Sequence, residues 1–426
     1  MKFIVIGITD NPQPFFPPEV MEIINNGKIF SGGKRHHEVV ASLLPADAEW
    51  IDITVPLDAV FEQYYSLFTI HYSLTIIVFA SGDPLFFGFA NTIKRKMPDA
   101  EIVVYPTFNS LQMLAHRLVM PYHDMRIVSL TGRPWPAFDR ALIEGASKIG
   151  VLTDREHTPA AIAQRMIDYD YTSYTMSVGE HLGHPDLEKV TTLSLEEATR
   201  RTFDYPNCVI VSKEDIYSKE KRSQEVSLQG SNSLNRPFGI PDSAFTLLDG
   251  REKMITKMPI RLLTLQALDL PKRHVFWDIG FCTGSVSIEA RLQFPHLQVV
   301  AFEIRPECET IIQENARRFG APGIDIHIGD FLEIDISSLP RPDAVFIGGH
   351  GGRLKEIMAI VLTVLTDDGV IVFNSVSSPV VTQMTDRKSS RQLWDEACTE
   401  LHLCQADPLR IQLNDYNPIE ILSASF

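Results

Sequence analysis

The most constraining segment of the chain is residues 275–289, VFWDIGFCTGSVSIE, which is typical of a strand, a tight turn and a helix start. Apolar residues surround Asp278, and Gly280 and Gly284 bracket the turn. In α/β proteins such a turn offers backbone N–H groups and a helix N-terminus to a nucleotide-like ligand. Glu303 ends the following apolar strand, about 20 residues further on, where a carboxylate can bind both ribose hydroxyls. The pattern predicts a cofactor site in this half of the chain.

The turn and the neighbouring strand ends supply the predicted cofactor contacts. The turn should surround the amino-acid end of the ligand through Asp278, Gly280, Phe281, Cys282, Thr283 and Gly284. Asp330 and Phe331, after the third strand, should lie beside adenine. The alternative is that these residues only end strands, where Gly, Asp and Glu are common. Nothing in the sequence supplies a base for the Cys282 thiol, which we therefore interpret as a space filler.

A second glycine-rich turn, FIGGHGG in residues 346–352, closes the fourth strand of this half. Free backbone N–H groups at a helix N-terminus bind anions. The turn therefore predicts a carboxylate-bearing substrate beside the cofactor, with a flexible turn and a solvated His350 as the alternative. Cations in residues 251–257 and at Arg261 would suit a polyanionic substrate or, equally, a solvated helix face.

The first half carries two comparable segments. Residues 78–88, VFASGDPLFFG, place a turn after a buried strand, and Pro84 suits the first position of a predicted helix over Leu85–Arg95. This turn would expose backbone groups and the Asp83 carboxylate at the carboxyl edge of the sheet, although it also matches a common capped turn. The basic, glycine-rich run SGGKRHH, residues 31–37, could receive carboxylates or form a plain loop.

Strands and helices alternate in both halves, which predicts two α/β domains with largely parallel sheets. We place the domains at residues 1–212 and 236–426, joined by a polar linker at 213–235. The second domain has five strand–helix units, and two tail strands, Cys404–Leu413 and Glu420–Ala424, should add antiparallel to one sheet edge. This arrangement suggests a seven-stranded sheet rather than the sheet of a dinucleotide dehydrogenase.

Bulk properties argue against several function classes. A chain of 426 residues exceeds what one core normally serves, in agreement with two domains. The net charge of −15 argues against nucleic acid as the main partner, because phosphate contacts need an excess of Lys and Arg. The five cysteines form no C-x-x-C pair, which fits a cytoplasmic protein without a metal site. No apolar run approaches about 18 residues, so no membrane span is expected.

Several motifs, taken in order, resemble known methyltransferase families. The first half resembles the tetrapyrrole methylase family, in the branch acting at C5 of a corrin precursor, through Val5–Gly7, Phe30–His36, Ser81–Gly88, Val128–Arg133, Leu152–Asp154, Thr158–Ala163 and Val178–Glu180. The second half resembles class I methyltransferases acting at C15, through Gly239–Phe245, Met254–Lys257, Trp277–Gly280 and Ile347–Gly352. Joined in one chain, the halves resemble bifunctional methyltransferases of cobalamin biosynthesis.

The resemblance implies a two-lobed tetrapyrrole methylase fold followed by a Rossmann-like class I methyltransferase fold, each with one S-adenosyl-L-methionine (SAM) site. It implies methylation of C5 by the first domain, and methylation of C15 with decarboxylation of the C12 acetate by the second. The substrate would be a precorrin-6-type tetrapyrrole, with or without cobalt. Electron-rich ring carbons would be the nucleophiles, so catalysis would rest mainly on positioning. A cytoplasmic homo-oligomer is expected.

The resemblance also implies site residues, position by position. In the second domain SAM would contact the turn residues given above together with Thr256, Glu303, Asp330, Phe331 and Gly348. In the first domain SAM would contact Gly82, Asp83, Pro84 and Ser110. The substrate would contact Gly32, Gly33, Arg35, His36, Gly349 and Gly351. The candidates near the reacting carbon of the second domain are Lys257, His350 and Asn374.

Four positions depart from the family patterns: the opening loop after Gly7, Phe108-Asn109 before Ser110, Cys282 and His350. We hypothesise that the first domain differs in substrate choice or efficiency. The alternatives are a SAM-dependent methyltransferase for another substrate such as RNA, against which the net acidity speaks, and a binding module with one silent half. A dehydrogenase would instead bind NAD. Titration with SAM separates these alternatives, because two sites per chain support the full enzyme.

Overall fold

A computed structural model describes residues 1–70, 74–213, 238–376, 388–413 and 418–426. The chain folds into two compact units. The first unit comprises the described residues of Met1–Pro134, Ala146–Gln164 and Tyr174–Val226, and the second those of Trp135–Gly145, Arg165–Ser173 and Ser227–Phe426. The predicted linker lies outside the described residues, apart from Lys213, which ends a strand.

The first unit begins with a five-stranded sheet in which every pairing is parallel, in the order β3-β2-β4-β1-β5. Its strands are β1 (Lys2–Ile8), β2 (Ile29–Gly32), β3 (Glu49–Asp52), β4 (Thr75–Ser81) and β5 (Glu101–Tyr105). The helices of this part are α1 (Pro18–Asn26), α2 (Lys34–Val40), α3 (Asp58–Ile70) and α4 (Phe89–Lys96), with a 3-10 turn at Ala41–Leu43. Alternate β1 residues enter two different cores, Phe3 and Val5 on one face and Ile6 and Ile8 on the other. Such burial on both faces is typical of parallel sheets.

A second five-stranded sheet, in the order β6-β7-β10-β8-β9, also belongs to the first unit. Its strands are β6 (Arg126–Ser129), β7 (Lys148–Leu152), β8 (Tyr174–Glu180), β9 (Lys189–Ser194) and β10 (Asn207–Lys213). Only β6 and β7 pair in parallel; the other neighbours are antiparallel. The helices that accompany these strands in sequence are α5 (Ser110–Arg117), α6 (Pro136–Ile143), α7 (Pro159–Asp168) and α8 (Leu195–Thr199). Of these, α6 and the end of α7 belong to the second unit.

Two sequence-based expectations for this half are wrong in detail. The alternation of strands and helices predicted one largely parallel sheet, but β10 returns antiparallel between β7 and β8. The predicted helix over Leu85–Arg95 begins instead at Phe89, with Gly88 as its N-cap. The reason is steric: residues 84–88 form a turn so tight that a Cβ on Gly88 would lie 2.5 Å from the Pro84 carbonyl oxygen.

The second unit contains an eight-stranded sheet in the order β13-β12-β11-β14-β15-β18-β16, with β17 also paired to β18. Its strands are β11 (Val275–Ile279), β12 (Gln298–Glu303), β13 (Ile324–Ile328), β14 (Ala344–Ile347), β15 (Val370–Val376), β16 (Cys404–Gln405), β17 (Leu409–Ile411) and β18 (Ile419–Ser425). The helices are α9 (Met258–Ala267), α10 (Ser285–Gln293), α11 (Glu307–Phe319), α12 (Leu354–Leu362) and α13 (Ser390–Glu400). Short 3-10 turns lie at Asp242–Ala244, Leu248–Gly250, Glu252–Met254 and Leu270–Lys272.

The α/β fold class predicted for both halves is confirmed. The sheet has eight strands rather than seven, because the predicted tail strand Cys404–Leu413 is divided into β16 and β17, which both pair with β18. The residues of helix α10 from Ser285 to Leu292 are all buried. Among the described residues, none of the helices combines the length and apolar character that crossing a bilayer requires.

Candidate active sites

In the second unit, the turn between β11 and α10 lies at the carboxyl edge of the sheet, against the loop that follows β14. The two strands are parallel neighbours, so their following loops meet. Gly280 has φ +81° and Gly284 has φ +73°. A Cβ on Gly280 would lie 2.6 Å from the backbone nitrogen of Gly349. Glycine at position 280 is therefore required for this close approach of the two loops.

Two buried polar atoms beside this turn have no hydrogen-bond partner among the described residues: Asp278 Oδ1 and Thr283 Oγ1. The other Asp278 oxygen accepts from the Ser287 backbone N–H at 3.1 Å and from the Ser287 hydroxyl at 2.6 Å. Burial raises the pKa of Asp278 to about 7, against the lowering effect of these bonds. A buried polar atom without a partner is costly, so both atoms suit a ligand that brings hydrogen-bonding groups.

Glu303 lies beside the same turn, because the Cys282 backbone N–H donates to its Oε2 at 2.9 Å. Its Oε1 accepts from the backbone N–H groups of Ile304 and Arg305. The Arg305 guanidinium donates to both oxygens, at 2.9 Å each. A carboxylate offers about four acceptor positions, and these five donors use them fully. Ribose hydroxyls would therefore have to displace the Arg305 side chain.

Cys282, at the centre of the turn, has φ +50° although it is not a glycine. Its side chain packs in a buried cluster with Cys308 and Ile312. Burial raises the pKa of the Cys282 thiol, more than the nearby Arg305 lowers it. The thiol is therefore protonated at neutral pH and is no nucleophile in this state.

The predicted adenine contacts, Asp330 and Phe331, have different surroundings. The Asp330 carboxylate accepts from Arg353 at 2.7 Å and from the Leu332 backbone N–H at 3.1 Å. These bonds, the Arg353 bond above all, lower the pKa of Asp330. The Phe331 side chain is only 6% exposed and meets the Phe302 ring edge-on, with centroids 5.0 Å apart. This burial leaves little of the ring to stack on adenine.

The glycine-rich turn after β14 has fewer available donors than the sequence predicted. The Gly348 and Gly349 N–H groups donate to the Ile279 carbonyl, at 2.7 and 3.3 Å, and the Gly352 N–H donates to His350 Nδ1 at 3.1 Å. The turn was expected to leave several backbone N–H groups without an acceptor, and this expectation is wrong for Gly348, Gly349 and Gly352. Burial lowers the pKa of His350, whose ring meets Phe373 edge-on. Gly351 has φ +54°, with open space where a Cβ would lie.

The cations before the sheet are also tied to the protein. Arg261, expected as a substrate contact or on a solvated face, is fully buried and donates to Glu289 at 3.2 Å and to the Thr256 carbonyl at 2.8 Å. The expectation for Arg261 is therefore wrong, because a buried guanidinium needs these partners. The Lys257 ammonium lies 3.7 Å from a carboxylate oxygen of Asp242.

The third candidate near the reacting carbon, Asn374, lies on β15, apart from the Lys257 segment in sequence. Its side-chain nitrogen is 3.0 Å from the Thr264 hydroxyl, and its side-chain oxygen is 3.2 Å from the same group. Thr264 also donates to the Ile260 carbonyl within α9. The amide is thus held between the sheet and a helix.

In the first unit, a cavity of about 580 Å³ lies beside the carboxyl ends of β1 and β4. Of the sequence-predicted residues it is lined by Gly33, Arg35, His36, Gly82 and Ser110. Gly32, Asp83 and Pro84 adjoin these positions in the chain but do not line it. The backbone is close-packed here: a Cβ on Gly7 would lie 2.1 Å from the Gly82 carbonyl oxygen. The structure thus brings together five of the eight substrate and cofactor positions predicted for the first half of the chain.

Arg35 and His36 are linked at the cavity wall through Ser81. Arg35 donates to the Ser81 hydroxyl at 2.8 Å and to the Asp10 carboxylate at 2.5 Å. His36 Nδ1 accepts from the Gly33 N–H at 3.2 Å, so its Nε2 carries the proton toward Ser81, 2.9 Å away. Burial and, second, the charge of Arg35 lower the pKa of His36 to about 4. His36 is therefore a neutral hydrogen-bonding group at neutral pH.

Several residues of this cavity escaped the sequence analysis. Asp10 follows β1, and its second oxygen lies 3.0 Å from His181 Nδ1, after β8. Phe87 and Tyr205 also line the cavity, as does Phe108, which the sequence marked only as a departure from a family pattern. Asp10 and His181 each follow the end of a strand, and this position in the sequence could have identified them as candidate site residues. No periodicity marks Tyr205, because it lies in an irregular segment.

Each half of the chain matches a known protein family. Residues 16–199 match the model of Tetrapyrrole (Corrin/Porphyrin) Methylases, and residues 248–408 match the Precorrin methyltransferase domain. The chain therefore combines two methyltransferase domains of tetrapyrrole metabolism.

A precorrin-6Y C(5,15)-methyltransferase (decarboxylating) of Sinorhizobium sp. is 30% identical over 383 residues, which cover 90% of this chain and 86% of the relative. The chain belongs to this family. A cobalt-precorrin-6B C(15)-methyltransferase (decarboxylating) of Salmonella typhi is 33% identical over 40% of this chain and 83% of its own length. The solved structure of a precorrin-6Y C5,15-methyltransferase of Geobacter metallireducens GS-15 is 32% identical, with TM-score 0.37, and covers 44% of this chain and 97% of that one. Methyltransferases of this family use SAM as the methyl donor.

Proposed function

We propose that this chain methylates C5 and C15 of a precorrin-6-type tetrapyrrole and decarboxylates its C12 acetate, with one SAM site in each unit. The observation that carries the proposal is the alignment with the Sinorhizobium relative over 90% of the chain, because it includes both domains. In this proposal residues 1–212 act at C5 and residues 236–426 act at C15, as a cytoplasmic homo-oligomer.

The second unit fits SAM through its turn. Asp278 Oδ1 and Thr283 Oγ1 are buried without partners among the described residues, and Gly280 and Gly284 allow the backbone to approach a ligand closely. We assign the amino-acid end of SAM to this turn, and its ribose to Glu303 after Arg305 has moved. Thr256 and Gly348 would complete the site at the neighbouring loops.

The first unit fits SAM and the tetrapyrrole through its cavity. A volume of about 580 Å³ is within the usual range for small-molecule sites. Gly82 and Ser110 would contact the methyl donor, with Asp83 and Pro84 supporting the turn. Arg35 would pair with a substrate carboxylate, and the neutral His36 would hold the Ser81 hydroxyl beside it through Nε2.

The chemistry requires little from the side chains beyond placement. SAM supplies an electrophilic methyl group, and an electron-rich ring carbon supplies the electron pair. The protein would align this carbon with the methyl group and exclude competing orientations. For well-oriented reactants, such alignment can lower the activation barrier by about 7–11 kcal/mol. In the decarboxylation, the macrocycle would accept the electron pair that the departing carbon dioxide leaves. Near C15, His350 and Asn374 would orient the substrate and Lys257 would face its carboxylates.

Product analysis tests this function. We expect the full chain, given SAM and a precorrin-6-type substrate, to add two methyl groups and release one carbon dioxide. Mass spectrometry measures both changes, and metal-free and cobalt-loaded substrates show which form is used. A product with methyl groups but without loss of carbon dioxide would contradict the assignment of the second unit.

Calorimetric titration with SAM tests the same proposal independently of the substrate. Two sites per chain are expected, because each unit carries a site of its own. A single site would instead support the alternative in which one unit binds a tetrapyrrole without methylating it. Sedimentation of the same sample measures the oligomeric state.

A further inference from the structure

Three aromatic side chains at the cavity of the first unit are unusually exposed. Phe87 is 46% exposed, Phe108 is 56% exposed and Tyr205 is 52% exposed, and all three line the cavity. They come from three separate segments: the turn after β4, the loop before α5 and the segment before β10. Large apolar surfaces gathered at one cavity mark a binding surface more often than chance exposure does.

The protein holds the first two rings in place. Phe87 has φ +53°, a conformation that bulky side chains rarely adopt and that persists mainly at functional sites. The guanidinium carbon of Arg133 lies 5.3 Å from the centre of the Phe87 ring, and Phe86 meets the ring edge-on. Phe108 packs edge-on against His116, with centroids 5.0 Å apart. The rings are thus exposed but preorganised, which lowers the entropic cost of binding a rigid ligand.

Charge around the rings indicates what kind of ligand they suit. The Arg133 guanidinium lies over Phe87, and Arg35 lies in the cavity wall, where it is paired with Asp10. A ligand that is flat and apolar on its faces and anionic at its edge satisfies both features at once. A tetrapyrrole with peripheral carboxylates has this chemistry.

We propose that Phe87, Phe108 and Tyr205, termed the aromatic rim, bind the faces of the tetrapyrrole macrocycle at the C5 site and determine which macrocycle it accepts. The inference rests on the proposed function of the first unit and goes beyond it by assigning substrate recognition to three aromatic residues that were not among the predicted site residues. The rim binds the substrate separately from the methyl donor, which occupies the glycine turn at Gly82.

Kinetics of C5 methylation by the full chain test the aromatic rim. For Phe108→Ala and for Phe87→Ala we expect the KM for the tetrapyrrole to rise by about tenfold each, as expected for the loss of one aromatic contact. The KM for SAM should stay unchanged, and Phe108→Trp should restore the tetrapyrrole KM. Phe15→Ala is the matched control, since Phe15 is 89% exposed in the same unit but does not line the cavity.

Three results would overturn the inference. An unchanged tetrapyrrole KM in both alanine variants would show that the rim does not bind the substrate. An equal rise in the KM for SAM would assign the rings to the adenine of the methyl donor. A change in sedimentation without a change in KM would assign them to contact with a second copy of the chain. Failure of the proposed function is distinguishable, because the unsubstituted chain would then form no C5-methylated product.

Discussion

The first unit presents its candidate site as an open cavity of about 580 Å³, whereas the second unit presents a turn whose strand ends, loops and Arg305 side chain contact one another closely. The ion pairs of the two sites also differ. In the first unit, Asp10 holds Arg35 at the cavity wall, and in the second unit, Arg305 occupies the Glu303 carboxylate. We infer that ligands enter the first site with little rearrangement, while the second site must exchange internal hydrogen bonds for ligand hydrogen bonds.

Burial shifts the pKa of a titratable group in opposite directions at the two sites. It lowers the pKa of His36 in the first unit and raises the pKa of Asp278 in the second, because in both cases it disfavours the charged form. At pH 7 His36 is therefore neutral and Asp278 is about half protonated, and Asp278 becomes mainly neutral as the pH falls below 7. The two sites therefore share one property: burial favours the neutral form of a titratable side chain.

The largest effect is expected for Gly280→Ala. A Cβ at this position would lie 2.6 Å from the Gly349 backbone nitrogen, so the two loops would have to move apart. Displacement of this kind can cost about 100-fold in rate, and we expect C15 methylation and carbon dioxide release to fall accordingly. SAM binding should decrease from two sites to one per chain, measured by calorimetry.

Gly250→Ala is the matched control for this change. Gly250 also has positive φ, at +67°, but a Cβ there would meet nothing within 4 Å. Gly250→Ala therefore places alanine at a positive φ, with the same conformational strain, but without the steric collision. Equal losses in both variants would contradict the steric explanation.

The second prediction concerns the pH dependence of stability through Asp278. The folded pKa of about 7 exceeds the ordinary value of 3.8, so the folded state holds this proton more tightly. The resulting stabilisation is complete below about pH 4 and is lost as pH rises through 7. Asp278→Asn should remove about 2 kcal/mol of this pH dependence, measured by chemical unfolding at pH 5 and pH 8.

Asp368→Asn, which removes an exposed carboxylate of the same unit, is the control for the loss of one acidic group. Identical pH profiles for Asp278→Asn and the unsubstituted chain would contradict the raised pKa of Asp278.

Third, Arg305→Ala should tighten SAM binding by the second unit. The change removes the two guanidinium bonds to Glu303, while the three backbone N–H groups still hold the carboxylate in position. Ribose hydroxyls then have no internal competitor, and the affinity should rise by about tenfold, the value of one charge-assisted hydrogen bond. Calorimetry measures this change, with the site of the first unit as an internal reference. Weaker or unchanged binding would show that Arg305 supports the ligand instead.

The smallest effect is expected for His36→Gln in the first unit. The folded pKa of about 4 lies below the ordinary value of 6.5, so the unfolded state gains a proton first as the solution is acidified. Solvent screening of this partly exposed side chain reduces the effect below what the full pKa difference would give. The unsubstituted chain should therefore lose about 1 kcal/mol of stability between pH 6.5 and pH 4, and the variant should not. Chemical unfolding at both pH values measures the difference, with His123→Gln, on an exposed histidine of the same unit, as the control.

Local sequence predicted the strand–turn–helix of the second unit well. Residues 275–289 form a strand, a turn and a helix start, and Glu303 ends the next strand, as predicted, because an apolar run bounded by glycines leaves few alternatives. By contrast, the start of α4 was missed by four residues, since Pro84 is compatible with a helix start and only the packing of residues 84–88 shows a turn. Arg261 was misjudged for a related reason: its charge suggests a solvated face, and only the tertiary structure pairs it with Glu289.

The amino-acid sequence by itself determined the α/β class, the family resemblance and the carboxylates and glycines at the strand ends, because these depend on periodicity and on neighbours close in the chain. Only the tertiary structure showed that Arg305 binds the Glu303 carboxylate and that the pKa values of Asp278 and His36 are shifted. It also showed that Phe87, Phe108 and Tyr205 line one cavity. Such features arise from contacts between distant segments and from the exclusion of water. Neither is written in any local pattern of residues.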